Sequence, residues 1–164
     1  MRLGFRRRLL LASLVLVTVV DLVVGVYLEN RLQESLYSRI RQELERYTRA
    51  MIEVLEGVGP GRDATIEDVR AELDPLADRF GAAMDTRVTV IGRDGRLLAD
   101  SDLSLAELPL AEDHGSRAEV VAARAGEVGV ARRRSTTVGS EMLYVAQRMN
   151  DGSGRVVRVS VPLS

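Results

Sequence analysis

The chain of 164 residues contains no cysteine, no lysine, no tryptophan and a single histidine, His114. Without cysteine there is no disulfide framework, no thiolate metal site and no cysteine nucleophile. One histidine excludes multi-histidine metal centres and leaves imidazole acid–base chemistry a single candidate. Aromatic residues make up 4% of the chain, so the core must be built from Leu, Val, Ala, Ile and Met. No glycine-rich phosphate loop follows a strand, and no nucleophile–base pair can be assembled. Neither cofactor nor metal is expected, and the chain reads as a non-enzyme. The net charge of −1 gives no basic excess for nucleic acid.

That sum hides a polarity. All 23 basic residues are arginine, and Arg2, Arg6, Arg7 and Arg8 fall in the first eight positions, which leaves 19 arginines against 24 acids in the remainder. Leu9 to Leu28 follows as 20 residues with one charge, Asp21. At about 1.5 Å per residue this run spans about 30 Å, the thickness of a bilayer's hydrocarbon core. Arginines stay on the cytoplasmic side, so residues 1–8 are expected inside, 9–28 across the membrane, and everything after about residue 28 outside. For a bacterium this is the inner membrane, with the body of the chain in the periplasm or outside the cell. A cleaved signal peptide would share the basic start. Its apolar run is normally 7–15 residues and ends in small residues, whereas here Tyr27-Leu28-Glu29-Asn30 follows.

Beyond the membrane, Leu28, Leu32, Leu36, Ile40, Leu44, Tyr47, Met51, Leu55 and Val58 recur at steps of three or four, a single helical stripe. The cluster Gly57-Val58-Gly59-Pro60-Gly61 should stop it. A continuous helix from about Leu9 to Gly57 would be about 70 Å long. The stripe could pack its own domain, pair with a second copy, or both. Asp21, Leu32, Leu36, Ile40 and Leu44 are the candidate dimer and transmembrane contacts; Asp21 reads either as a tolerated polar residue, protonated or snorkelling outward, or as a polar contact at a helix–helix interface between two subunits. A second helix should begin at Thr65, with Asp68 at the capping-box position, kink or restart near Asp74-Pro75 and end at Gly81.

The period then changes to two. Arg87–Ile91 and Arg96–Asp100 read as strands joined by an Asp94-Gly95 turn. Arg117–Ala125 is a short helix. Val128–Thr136, Glu141–Met149 and Arg155–Val161 complete a five-stranded antiparallel sheet, with Arg158 and Ser160 of the last strand expected to face outward. The fold class is α+β: residues 29–58 form the membrane-proximal helix, and residues 59–164 a domain in which a second helix packs on the sheet.

Several stretches resemble the extracytoplasmic sensor region of bacterial transmembrane histidine kinases, with most likeness to the phosphate-regulon type. These are Arg87-Val88-Thr89-Val90-Ile91 with Asp94-Gly95 and Ala99-Asp100-Ser101; Asp113-His114 with Arg117-Ala118-Glu119-Val120 and Ala125-Gly126; and Arg134-Ser135-Thr136, Tyr144-Val145-Ala146 and Val157-Arg158-Val159. Asp113 and Ala118 depart from the Asn and Pro of the family pattern. The resemblance implies a PAS-like sheet of the PDC/Cache kind, a homodimer, and a signal passed through the membrane helix to a kinase module absent from this chain, which would in turn act on a cytoplasmic response regulator. The input could be a small anionic ligand or a partner membrane protein. A chemoreceptor, a diguanylate cyclase and a non-signalling membrane-anchored assembly protein are the alternatives, and the chain is read as the input end of a longer protein.

The candidate ligand residues are His114, Arg117, Arg132, Arg134, Tyr144 and Arg158. His114 could respond to pH or ligand, or hold a turn. Arg132 and Arg134 share a strand face and, with Arg158, could bind an anion; alternatively they guard a solvated edge. Tyr144 sits mid-strand and reads as core. Asp100-Ser101-Asp102 is too short for a calcium loop. An uncleaved anchor predicts an intact N-terminus on the protein recovered from membrane fractions; a mature protein starting near Glu29 would contradict it.

Overall fold

The computed structural model describes residues 4–57, 65–134 and 139–163. They fall into two compact units, Met1–Ile40 and Arg41–Ser164. Helix α1 (Phe5–Glu56) supplies the whole of the first unit's described structure and the opening of the second. Within the first unit, Leu9 to Leu28 are all exposed, and this helix alone among the described residues is long and apolar enough to cross a membrane.

In the second unit the stripe on α1 buries Leu44, Thr48, Met51, Ile52 and Leu55. Each large apolar side chain so buried contributes about 1.5–3 kcal/mol, which is ample to seat this part of α1 on the domain. Leu44, 2% exposed, therefore belongs to the domain's own core and is corrected out of the dimer set. Leu32 and Leu36 remain exposed, and Ile40 is partly so. Val58 and the rest of the breaker cluster to Gly61 lie outside the described residues.

Helix α2 (Ile66–Met84) starts with the expected capping box. The Asp68 backbone N–H donates to Thr65 Oγ1 (3.2 Å), and the Thr65 N–H donates to Asp68 Oδ2 (2.9 Å). The helix continues through Pro75 with no restart there. The expected stop at Gly81 fails: the helix passes it and ends at Asp85, which adopts a left-handed conformation (φ 51°). Tertiary bonds on the turn before Pro75 hold the helix in place. Arg70 Nε donates to Leu97 O (3.2 Å), and Asp74 Oδ1 accepts from the Asp100 N–H (3.3 Å). Gly81 is a packing glycine: a Cβ there would lie 2.6 Å from Ser101 Cβ.

Strands β1 (Arg87–Ile91), β2 (Leu97–Asp100), β3 (Gly129–Arg134), β4 (Glu141–Arg148) and β5 (Val156–Pro162) form one antiparallel sheet in the order β2-β1-β5-β4-β3. The Gly92–Arg96 turn joins β1 and β2 as expected, with Gly95 at φ 92°. Ser135 and Thr136, assigned to β3 on sequence, lie outside the described residues. The β2 edge is covered, because Arg70 and Asp74 of α2 satisfy its outward backbone groups; β3 is the other edge.

Cross-strand partners share a face, so the register sorts the side chains. Thr89, Asp100, Arg158, Ala146 and Gly129 lie on one face, and with them, by alternation, Arg87, Ser160, Tyr144 and Arg133. Val88, Val90, Val157, Val159, Leu143, Val145 and Arg132 lie on the other. There Gln147 Nε2 donates to Glu45 O of α1 (2.9 Å). Helix α3 (Ala118–Arg124) packs on β3, β4 and β5 from the first face, around Ile91, Leu97, Leu108, Val120, Ala123, Ala146 and Val156. Both faces are thus covered, and Arg158 and Ser160, expected outward, are 3% and 2% exposed. Alternation was a sound guide to which residues share a face, but the polar face is not the wet one.

Gly129 lets α3 approach β3: a Cβ there would lie 1.8 Å from Glu119 O, a backbone atom. Overpacking of this kind costs about 1–3 kcal/mol or more. Gly129→Ala is therefore expected to destabilise the domain by at least about 2 kcal/mol in urea unfolding; an unchanged midpoint would refute the close approach of α3.

Candidate functional site

The polar face of the sheet, the loop after β2 and the start of α3 enclose a cavity of about 370 Å³. Its floor is built on three buried or half-buried arginines from different strands. Arg87 of β1 grips Asp100 of β2 with both Nε (2.9 Å to Oδ1) and Nη2 (3.1 Å to Oδ2), and Thr89 Oγ1 donates to the same carboxylate (2.8 Å). Arg158 of β5 reaches Thr89 Oγ1 (3.1 Å) and, more distantly, Glu119 Oε1 (3.5 Å). Arg133 of β3 makes a forked pair with Glu119 (2.9 and 3.0 Å) and lies over the Tyr144 ring, 3.6 Å from its centroid. Asp100 and Glu119 are both 0% exposed.

Burying such ions is costly unless they are paired, and the wall meets that condition for the carboxylates. Burial alone would push the Glu119 carboxyl up, but the hydrogen bonds and charge of Arg133, with the charge of Arg158, outweigh it and hold Glu119 below the ordinary carboxylate range. Arg158 is less well served. Burial pulls its guanidinium below its usual value, against the attraction of Glu119 and Asp100, and its Nε has no hydrogen-bond partner. His114 Nδ1, on the same cavity, has none either. Desolvation, then the charges of Arg158, Arg117 and Arg87, opposed by Asp100, bring the His114 pKa down to about 4, so the imidazole is neutral at pH 7. A buried polar group left without a partner costs about 1–3 kcal/mol.

Of the six residues selected on sequence, the fold brings five to this cavity: His114, Arg117, Arg134, Tyr144 and Arg158. Arg117, at the rim, pairs with Glu112 (3.1 Å). Tyr144 is buried, as a core residue should be, yet it lines the cavity. Arg132 is the exception. It is exposed on the opposite face and pairs with Glu141 (2.6 Å), so the expected Arg132–Arg134–Arg158 anion face does not form. Arg133 takes its place beside Arg158, while Arg134 reaches the cavity from the end of the edge strand. Sequence reasoning missed Arg87 and Arg133 as cavity residues, and Asp100 and Glu119 as the acids that hold them. The pointer to Arg133 was parity, since it alternates in step with Gly129, which pairs with Ala146 opposite Arg158. Asp100 is fully engaged by Arg87 and Thr89. Among the described residues no cluster suited to a metal is present.

The chain has the fold of bacterial sensory domains. The sensory domain of the Campylobacter jejuni chemoreceptor Tlp3, solved with isoleucine bound, superposes over 80% of this chain and 56% of its own with a TM-score of 0.68 at 15% identity. The sensor domain of the V. cholerae histidine kinase DctB does so over 80% and 57%, TM-score 0.51, 16% identity. A methyl-accepting chemotaxis protein from Vibrio parahaemolyticus matches over 80% and 94%, TM-score 0.51, 11% identity. The chain spans little more than half the length of the first two. No protein-family model matches the chain, and no curated protein matches it. The α+β class with a long N-terminal helix and a five-stranded antiparallel sheet is thus shared with chemoreceptor and kinase sensor domains alike. The narrower likeness to the phosphate-regulon type rests on the sequence motifs alone.

Within this sensor fold His114 gives a pH signature. Its folded pKa of about 4 lies below the unfolded value near 6.5, so between those values the unfolded chain binds the extra proton. Stability from this group is full above about pH 6.5 and is lost as pH falls through about 4. Urea midpoints are expected to fall more steeply from pH 7 to pH 5 in the native protein than in His114→Asn; parallel profiles would contradict the buried neutral imidazole.

Proposed function

We propose that the chain is the extracytoplasmic input module of a membrane-anchored signalling protein, and that the cavity over the polar face of the sheet receives a small ligand. The observation that carries this is the cavity itself: a buried arginine with an unpartnered Nε and a neutral histidine with an unpartnered Nδ1, in a fold shared with sensory domains. Buried polar atoms are ordinarily satisfied, and two on one cavity mark a place where a ligand completes the hydrogen bonding.

In this reading residues 1–8 lie in the cytoplasm, 9–28 cross the membrane, 29–58 form the membrane-proximal helix, and 59–164 form the sensor domain outside. The output is a histidine kinase, supported by the ordered motifs from Arg87 to Val159; a chemoreceptor output shares the same fold. Two copies associate through α1 with Asp21, Leu32, Leu36 and Ile40 at the interface, and a ligand acts by preferring one arrangement of the pair over another.

Two measurements test these statements. Thermal shifts of the full chain in detergent micelles against a panel of small organic anions should reveal a stabilising ligand. Its affinity should fall at least tenfold in Arg158→Ala and remain unchanged in Arg132→Ala. Equal loss in both variants, or no stabilising ligand, would remove the cavity from the function. The absence of cysteine makes the dimer simple to test. Leu32→Cys and Leu36→Cys should form disulfide-linked dimers on mild oxidation in membranes, and Leu44→Cys, buried in its own domain, should not. Equal cross-linking at Leu44 would contradict the assignment.

A further inference from the structure

The acids of the cavity wall are already committed, and this limits the charge that can enter. Asp100 receives Arg87, Thr89 and the Asp102 N–H (3.0 Å). Glu119 receives both nitrogens of the Arg133 fork and the end of Arg158. Glu112, at the rim, is 83% exposed at its side chain and is bonded to Arg117. Five guanidiniums line the cavity, from Arg87, Arg117, Arg133, Arg134 and Arg158, against one lining carboxylate, Glu112; with Asp100 and Asp102 at Arg87 and Glu119 at Arg133 and Arg158 counted behind it, the balance is still five to four in favour of positive charge.

Two residues of the lining, Arg158 and His114, each carry a buried polar atom without a partner. Arg158 Nε can only donate, and it is enclosed in a residue 3% exposed. His114, neutral, adds a nitrogen that donates or accepts according to its tautomer. Leu97, Leu103 and Ala111 supply an apolar wall beside them. An anionic oxygen balances the excess charge of the guanidiniums that line the cavity. An ammonium group would find no uncommitted carboxylate and would stand among like charges.

We propose that this cavity selects small carboxylates that carry no ammonium group, and discriminates against amino acids of the same skeleton. The proposal rests on the ligand-binding reading above and adds to it the charge type of the ligand. The carboxylate meets the donor of Arg158, flanked by Arg133 and Arg87, and the hydrocarbon part lies on Leu97, Leu103 and Ala111. Arg133 stays stacked on Tyr144 and holds Glu119 away from any cation in the cavity.

Three molecules of one skeleton separate the possibilities. 4-Methylpentanoate, L-leucine and 3-methylbutan-1-amine are titrated calorimetrically at pH 7 into the full chain in micelles, followed by straight-chain, hydroxy and dicarboxylic acids of up to six carbons paired with their 2-amino counterparts. In every pair with measurable binding, the plain acid is expected to bind at least tenfold more tightly than the amino acid, and the amine is expected not to bind. Arg158→Lys should weaken the acid. Glu119→Gln, which removes a negative charge while keeping the shape, should strengthen acid binding; should that variant not fold, the ligand pairs on the native protein decide alone. Amino acids binding as tightly as their plain acids, or any binding of the amine, would overturn the charge selection while leaving the ligand-binding reading intact. No binding by any plain or amino acid would overturn both.

Discussion

The Glu119 carboxylate ties α3 to the sheet. It is fully buried, it takes the Arg133 fork from the edge strand, and it meets Arg158 from the central strand. Around it the polar face of the sheet becomes habitable for charge. Arg158 passes the network to Thr89, and Thr89 to Asp100, which Arg87 closes from the other side. A buried carboxylate without these partners would be strongly destabilising, and so would a buried arginine. The network is therefore held as a unit.

The two faces of the sheet divide the labour of the fold. The valine face receives the second part of α1, whose buried Leu44, Met51, Ile52 and Leu55 seat the helix on the domain. The arginine face carries a hydrophobic cluster of its own under α3, while its ion pairs contribute little net stability, since desolvation offsets most of their Coulomb energy. It provides a shaped, positively biased space instead. Gly129 and Gly81 serve the same end on opposite sides, letting α3 reach β3 and α2 lie against Ser101 with no side chain between.

A link from cavity to helix follows from this construction. The strands that hold Arg158 and Tyr144 on one face hold Val157, Val159 and Val145 on the other, alternating along the same backbone. A change in the ion network is thus only the thickness of one sheet away from the surface on which α1 rests, and Gln147 connects that surface to α1 by a hydrogen bond.

Much of this was legible in the chain of letters. The basic tip and the apolar run, the stripe on α1, the Thr65–Asp68 capping box, the Asp94-Gly95 turn and the five strands are local patterns, set by helical or strand periodicity and by turn chemistry within a few residues. Five of the six candidate residues reached the cavity because they lie on the β4 and β5 strands, at the end of β3 or in the loop before α3. What the sequence alone could not decide was which face of each strand meets water, because that depends on elements far away in the chain. Arg158 alternates with valines and reads as an outward residue, yet α3 and the loop after β2 cover it. Arg132 was chosen over Arg133 because the parity between β3 and β5 is fixed only through the register of β4 between them. Gly81 reads as the end of α2, yet the helix runs past it to Met84, where Gly81 packs against Ser101. Local pattern determined the elements; burial, register and the pairing of buried charges, all properties of the assembled domain, determined the site.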